Sequence, residues 1–129
     1  MSTTTTEPGN RARRTAYAAL AGMLLIAIVF EVAKHSTGYW QLAVFGLGPD
    51  LALMFGGGAG LARGQLHPRA VPPYNLVHRF WGPLAVALAA ALGVLSLGYF
   101  IGALAWALHI ALDRSLGYGL RTPDGFQRS

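Results

Sequence analysis

Four long apolar stretches, set apart by short polar segments and, before the last, by a tight connection at Gly98, govern what this chain can become. The first runs from Thr15 to Ala33, behind Arg11, Arg13 and Arg14. A helix crossing the hydrocarbon of a bilayer needs about 20 apolar residues, and this run has that length. Further spans are predicted over residues 40–62, 74–97 and 98–116. Apolar residues make up 53% of the 129 and charged residues only 12%, about half the charged share usual in soluble domains. A soluble chain of this size needs a polar surface over its core, and this one has too few charges to supply it. The expected fold is all-α: a four-helix transmembrane bundle in one domain over residues 15–120. A disordered basic tail over 1–14 precedes it, opening with the threonine run Thr3–Thr6, and a polar tail over 121–129 follows.

A basic start before an apolar run also opens a signal peptide. This run is long for that purpose and ends in Phe30-Glu31-Val32-Ala33-Lys34 with no small-x-small cleavage site, so a retained helix is expected. With the N-terminus inside, Arg11, Arg13, Arg14, Arg63, Arg69, Arg121 and Arg128 fall on the cytoplasmic side, and Lys34 alone falls outside. Cytoplasmic loops are enriched in Lys and Arg, so both chain ends are placed in the cytoplasm. Tyr39, Trp40 and Tyr99 fall where the outer aromatic belt belongs. The net charge of +5 does not mark nucleic-acid binding, because the basic residues sit at segment ends rather than on one face among aromatics. The partner expected is the lipid bilayer, with a homo-oligomer as an option. There are no cysteines, which excludes disulfides, zinc–thiolate sites, iron–sulfur clusters and cysteine nucleophiles.

Within the second span, Pro49 removes a backbone donor and predicts a kink. Gly56 and Gly60 have the small-xxx-small spacing that lets transmembrane helices approach closely. Pro72-Pro73 stops a helix from running through the polar loop before the third span.

Ionisable groups inside a membrane cost about 2.5–3.5 kcal/mol each on insertion scales, so each needs a reason. Glu31, Asp50, His78, His109 and Asp113 are the candidates, with Arg79 as a counter-charge. At a rise of about 1.5 Å per residue, Asp50 lies roughly 12–15 Å below the outer end of its span, and His109 about 16 Å below Gly98. Asp113 is about 6 Å deeper, and His78 enters from the cytoplasmic side, so these four overlap in the inner half of the bilayer. Glu31 falls at the outer end of its helix. His109 and Asp113 share a helix face, as do Tyr74 and His78, with Asn75 three residues before His78. Metal sites in bundles are built from such inward side chains on neighbouring helices, and two imidazoles with two carboxylates suit zinc, manganese or iron. Buried polar groups also serve as plain interhelical glue, at about 0.6 kcal/mol per hydrogen bond. Ser, Thr or Asn would do that work more cheaply than two histidines and two aspartates. Gly117-Tyr118-Gly119 resembles a potassium filter, but it ends the last span, where glycine terminates helices. Ser115 is six residues from His109 on the same helix and points to another face.

The run Trp106-Ala107-Leu108-His109-Ile110-Ala111-Leu112-Asp113-Arg114-Ser115-Leu116-Gly117-Tyr118-Gly119-Leu120-Arg121 resembles the closing signature of a small bacterial membrane-protein family known as a domain of unknown function. Pro49-Asp50-Leu51 and Tyr74-Asn75-Leu76-Val77-His78 resemble its earlier signatures, in the same order. The resemblance covers nearly everything after the N-terminal tail. It implies a multi-pass protein of a bacterial inner membrane and assigns no activity. More distantly, Pro49-Asp50, His78-Arg79 and His109 with Asp113 are similar to elements of bacterial membrane-bound metal-dependent hydrolases. Those carry a second aspartate after Pro-Asp and Thr-His-Ser beyond His-Arg, where this chain has Ala52 and Trp81-Gly82-Pro83.

The leading expectation is a membrane-embedded site, with Asp50, His78, His109 and Asp113 holding a divalent metal to hydrolyse a lipid-linked or small substrate. Such an ion lowers the pKa of its water toward about 7 and so supplies a nucleophile. Tyr74 or Asn75 would orient substrate, and Arg79, Arg114, Tyr118 and Arg121 would bind it, with Arg114 or Arg121 at an anionic headgroup. The alternative is a non-enzymatic membrane protein (a small oligomeric carrier, an accessory subunit or a proton relay) whose His/Asp cluster is a packing network.

Overall fold

A computed structural model describes residues 8–54 and 56–127, and these are all-helical apart from one isolated bridge between Arg121 and Gln127. The Thr3–Thr6 run and Arg128 of the sequence reading lie outside the described residues. Helix α1 spans Pro8–His35. The tail expected to be disordered through Arg14 is thus helical from residue 8. Proline is preorganised for the first helical position, and no left-handed glycine interrupts the chain before Gly38, at φ 86°. Its more covered positions, Arg14, Tyr17, Leu20, Ala21, Leu24 and Ile28, recur every three or four residues and form one stripe. Among the described helices, α1 alone is long and apolar enough to cross a membrane, over Gly9–His35. Met23, Ile26, Val29 and Phe30 stand exposed along it.

Helix α6, Leu97–Ser115, is the axis of the molecule. Helices α1, α2 (Tyr39–Leu47) and α5 (Trp81–Ala91) each pack on it and touch one another little. Its buried face runs through Gly98, Ile101, Gly102, Ala103, Ala105, Ile110 and Ala111. Small residues there bring neighbouring backbones close. A Cβ on Gly102 would lie 2.7 Å from the Phe45 ring.

The second and third predicted spans are not continuous helices. Helix α2 tightens into a 3-10 turn at Gly48–Asp50, resumes as the short α3 (Leu51–Met54), and residues 56–67 are non-helical. The glycines expected to form a helix-packing motif lie in this loop, with Gly60 at φ 78°. Glycine is among the poorest helix formers, and a run of it ends the helix. In the third span, α4 (Val71–Val77) stops at His78, and α5 starts three residues later. Pro72 and Pro73 begin α4 instead of preceding it, since a first turn needs no proline N–H. Pro83 produces the later break: in a continuous helix its ring would collide with the carbonyl of Arg79.

The polar C-terminal segment folds back. Leu66 N–H donates to the Gly125 carbonyl at 2.9 Å, and the Gln65 amide to that of Asp124 at 2.8 Å. Together with the 3-10 turn Pro68–Ala70, this caps a small core of Leu66, Ala70, Val71 and Tyr74. Arg14 and Ser115 lie side by side, so α1 begins at the end of the bundle where α6 finishes.

Candidate metal centre

The two broken helices each deliver one residue to a single point. Asp50 leaves the 3-10 turn after α2, and His78 leaves the end of α4. His109 and Asp113 come from one face of α6, four residues apart. One ligand atom from each of the four lies within 4.8 Å of every other. His78 Nε2 stands 3.4 Å from both Asp50 Oδ1 and Asp113 Oδ2, and His109 Nε2 stands 3.1 Å and 3.4 Å from the same oxygens. Metal–ligand bonds of about 2.0–2.2 Å separate neighbouring ligands by about 3.0–3.5 Å, so these four edges are of the right length for one ion.

The far side of each imidazole is fixed by backbone. His78 Nδ1 pairs with the Tyr74 carbonyl and His109 Nδ1 with the Gly46 carbonyl, both at 2.8 Å. A carbonyl only accepts, so both Nδ1 atoms carry the hydrogen. In the neutral ring Nε2 is then a bare lone pair, and both lone pairs point at carboxylate oxygens. His78 Nε2 is fully buried and has no hydrogen-bond partner. This is the arrangement of a ligating histidine whose outer nitrogen is anchored by a carbonyl. The 3-10 turn at Pro49 helps to create it, because shifting backbone bonds to i−3 leaves the Gly46 carbonyl available to His109.

Exposure grades across the cluster: the His78 side chain is 3% exposed, His109 12%, Asp113 25% and Asp50 49%. The site opens to its surroundings on the Asp50 side. The Tyr74 ring stacks on His78 at 4.0 Å and holds its plane.

The remaining predicted site residues lie elsewhere. Asn75 is a structural clamp: its amide donates to the Arg121 carbonyl at 2.9 Å and accepts from the Arg121 N–H at 2.7 Å. Arg121 lies over the Tyr74 ring and donates to the carbonyls of Gly64 and Gly125. Arg114 donates to the Tyr17 hydroxyl at 2.9 Å and to the His78 carbonyl at 3.3 Å, which positions the turn carrying His78. Arg79 is exposed and forms no ion pair with either aspartate among the described residues, so the expected counter-charge is not in place. Tyr118 is exposed after α6. Glu31 pairs with His35 at 3.3 Å near the far end of α1, away from the cluster. Sequence reading missed Gly46, which acts only through its carbonyl. The signal for it was Pro49 three residues on.

Fold and site together define a small all-helical protein with a two-histidine, two-aspartate cluster able to hold a metal. The chain belongs to the family described as Domain of unknown function (DUF4260), whose model matches residues 17–129 and so includes all four cluster residues. No curated protein and no solved structure matches it.

Proposed function

We propose that this is a multi-pass integral membrane protein that holds a divalent zinc, manganese or iron ion at the cytoplasmic end of its bundle and hydrolyses a lipid-linked substrate there. The observation that carries the proposal is the pair of Nε2 atoms facing two carboxylates while both Nδ1 atoms are engaged by backbone carbonyls. With neutral imidazoles, those lone pairs and anionic oxygens repel one another at 3.1–3.4 Å. Asp50, His78, His109 and Asp113 would hold a divalent ion there, and it would supply Lewis acidity. The chain's own residues supply the rest. Asp50 enters the cluster through Oδ1 and, at 49% exposure, is its most open member. Tyr74 and the two backbone carbonyls keep the imidazoles from turning away.

The lipid-linked substrate is supported by an apolar groove of about 470 Å³ lined by Gly48, Pro49, Leu51, Ala70, Pro73 and Val77, with Arg69 beside them. These include the chain neighbours of Asp50 and His78. The membrane setting is supported by α1 and by large exposed apolar side chains on other helices, among them Val44, Leu47, Trp81, Leu84 and Leu88. One observation favours the packing-network reading: His109 Nε2 and Asp50 Oδ1, at 3.1 Å, are within hydrogen-bond reach if the ring is doubly protonated.

Metal content of the detergent-purified protein, read by elemental mass spectrometry beside His109→Ala and Asp113→Ala, decides between them. Near-stoichiometric zinc, manganese or iron that disappears in both variants is expected, followed by phosphoesterase and amidase screens. A wild type that stays metal-free after reloading would eliminate the hydrolase reading and leave the network.

A further inference from the structure

A second site of different chemistry lies where α1 begins and α6 ends. A cleft of about 330 Å³ opens between the first turns of α1 and the turn Gly117–Gly119. Its side chains include Arg13, Arg14, Tyr17, Arg114 and Tyr118, and none of its described lining residues is acidic. Arg14 donates from Nε to the Ser115 carbonyl at 2.9 Å, and Arg114 donates to the Tyr17 hydroxyl. Both guanidinium groups are thus held by neutral partners, and neither forms an ion pair with an acid among the described residues. Arg13 is exposed, with its guanidinium 5.9 Å from the centre of the Tyr17 ring.

Three like charges around one concavity repel one another. The positive-inside tendency explains why arginines occupy this end of the chain, but it does not require them to converge on a cavity or to be braced there. The guanidinium fork matches phosphate oxygens in a bidentate manner, and bracing removes part of the rotamer entropy that binding would otherwise cost. We infer that this cleft is a phosphate-binding site, taking either the phosphate of an anionic lipid headgroup or free phosphate. Tyr17 and Tyr118 give it amphipathic walls suited to an interfacial position.

The test uses the full chain in a maltoside detergent. Inorganic phosphate and dihexanoyl phosphatidylglycerol are titrated by calorimetry into wild type, Arg13→Gln, and Arg63→Gln, which removes the same charge from an exposed loop outside the cleft. Saturable binding weakened at least tenfold in Arg13→Gln and little changed in Arg63→Gln is expected. Binding of both ligands assigns the site to the phosphate group itself, and binding of the lipid alone assigns it to a headgroup with its chains. No saturable binding of either ligand, or equal weakening in the two variants, overturns the inference. Arg13 is not one of the cluster ligands, so this outcome is independent of the metal reading.

Discussion

At the residue scale, the two cluster histidines are anchored alike although they come from different elements: each gives Nδ1 to a carbonyl and Nε2 to the centre. The spacing of His109 and Asp113 was legible in the sequence, because four residues on a helix always share a face. What Asn75 does was not, because its partner lies 46 residues away. Asn75→Ala deletes two hydrogen bonds to buried or half-buried backbone, at about 1–3 kcal/mol in total. Its thermal midpoint should fall while its metal content stays at the wild-type level, whereas loss of metal would return Asn75 to the site. Gly82 is a second residue whose role needs three dimensions. A Cβ there would overlap the Trp106 indole, whose Nε1 donates to the Val77 carbonyl at 2.7 Å. Gly82→Ala should cost about 1–3 kcal/mol as an overpacked site and shift the tryptophan emission. An unchanged denaturation midpoint would show that the indole has room to move.

At the scale of elements, two prolines do parallel work. Pro49 ends α2 in the tightened turn that presents Asp50 and leaves a carbonyl for His109, and Pro83 separates α4 from α5 where His78 sits. The kink at Pro49 was readable, because proline inside an apolar helical pattern has one meaning. The break before Pro83 was equally encoded, by the polar pair His78-Arg79 and the proline that follows, but the apolar residues on either side read as one continuous span. The glycine run of 56–60 was misread for the related reason that small-residue spacing resembles a packing motif only if the segment is helical. Pro49→Ala and Pro83→Ala should each let the interrupted helix heal toward continuity. Since the anchors of ligating histidines typically contribute 10–100-fold in metal affinity, metal retention should fall by about that factor while circular dichroism shows helicity equal or higher. Retention at the wild-type level would show that the breaks are incidental to the site.

For the molecule as a whole, the apolar exterior and the buried cluster make separate demands. The exterior predicts that the protein stays with the membrane fraction through an alkaline carbonate wash and leaves it only in detergent. Release by carbonate would refute the integral assignment. The cluster predicts loss of metal on acidification, because imidazoles ligate only when neutral and protons compete for Nε2. Stepwise dialysis to lower pH should therefore empty the site, and no loss across the acidic range would count against histidine ligation. The number of apolar segments and the gathering of chain ends at one end of the bundle were both legible, since each follows from a one-dimensional pattern. The dominance of α6 was not, because a chain records order and not which element its neighbours lean on. That arrangement has a consequence for biogenesis. Helices α1, α2 and α5 leave the ribosome before the element on which all three pack. Before α6 has been made, the earlier helices have no common partner and the chain holds only Asp50 and His78 of the cluster. A chain stalled before α6 would therefore display exposed, unassembled helices, so the last helix made is the one that lets the others assemble.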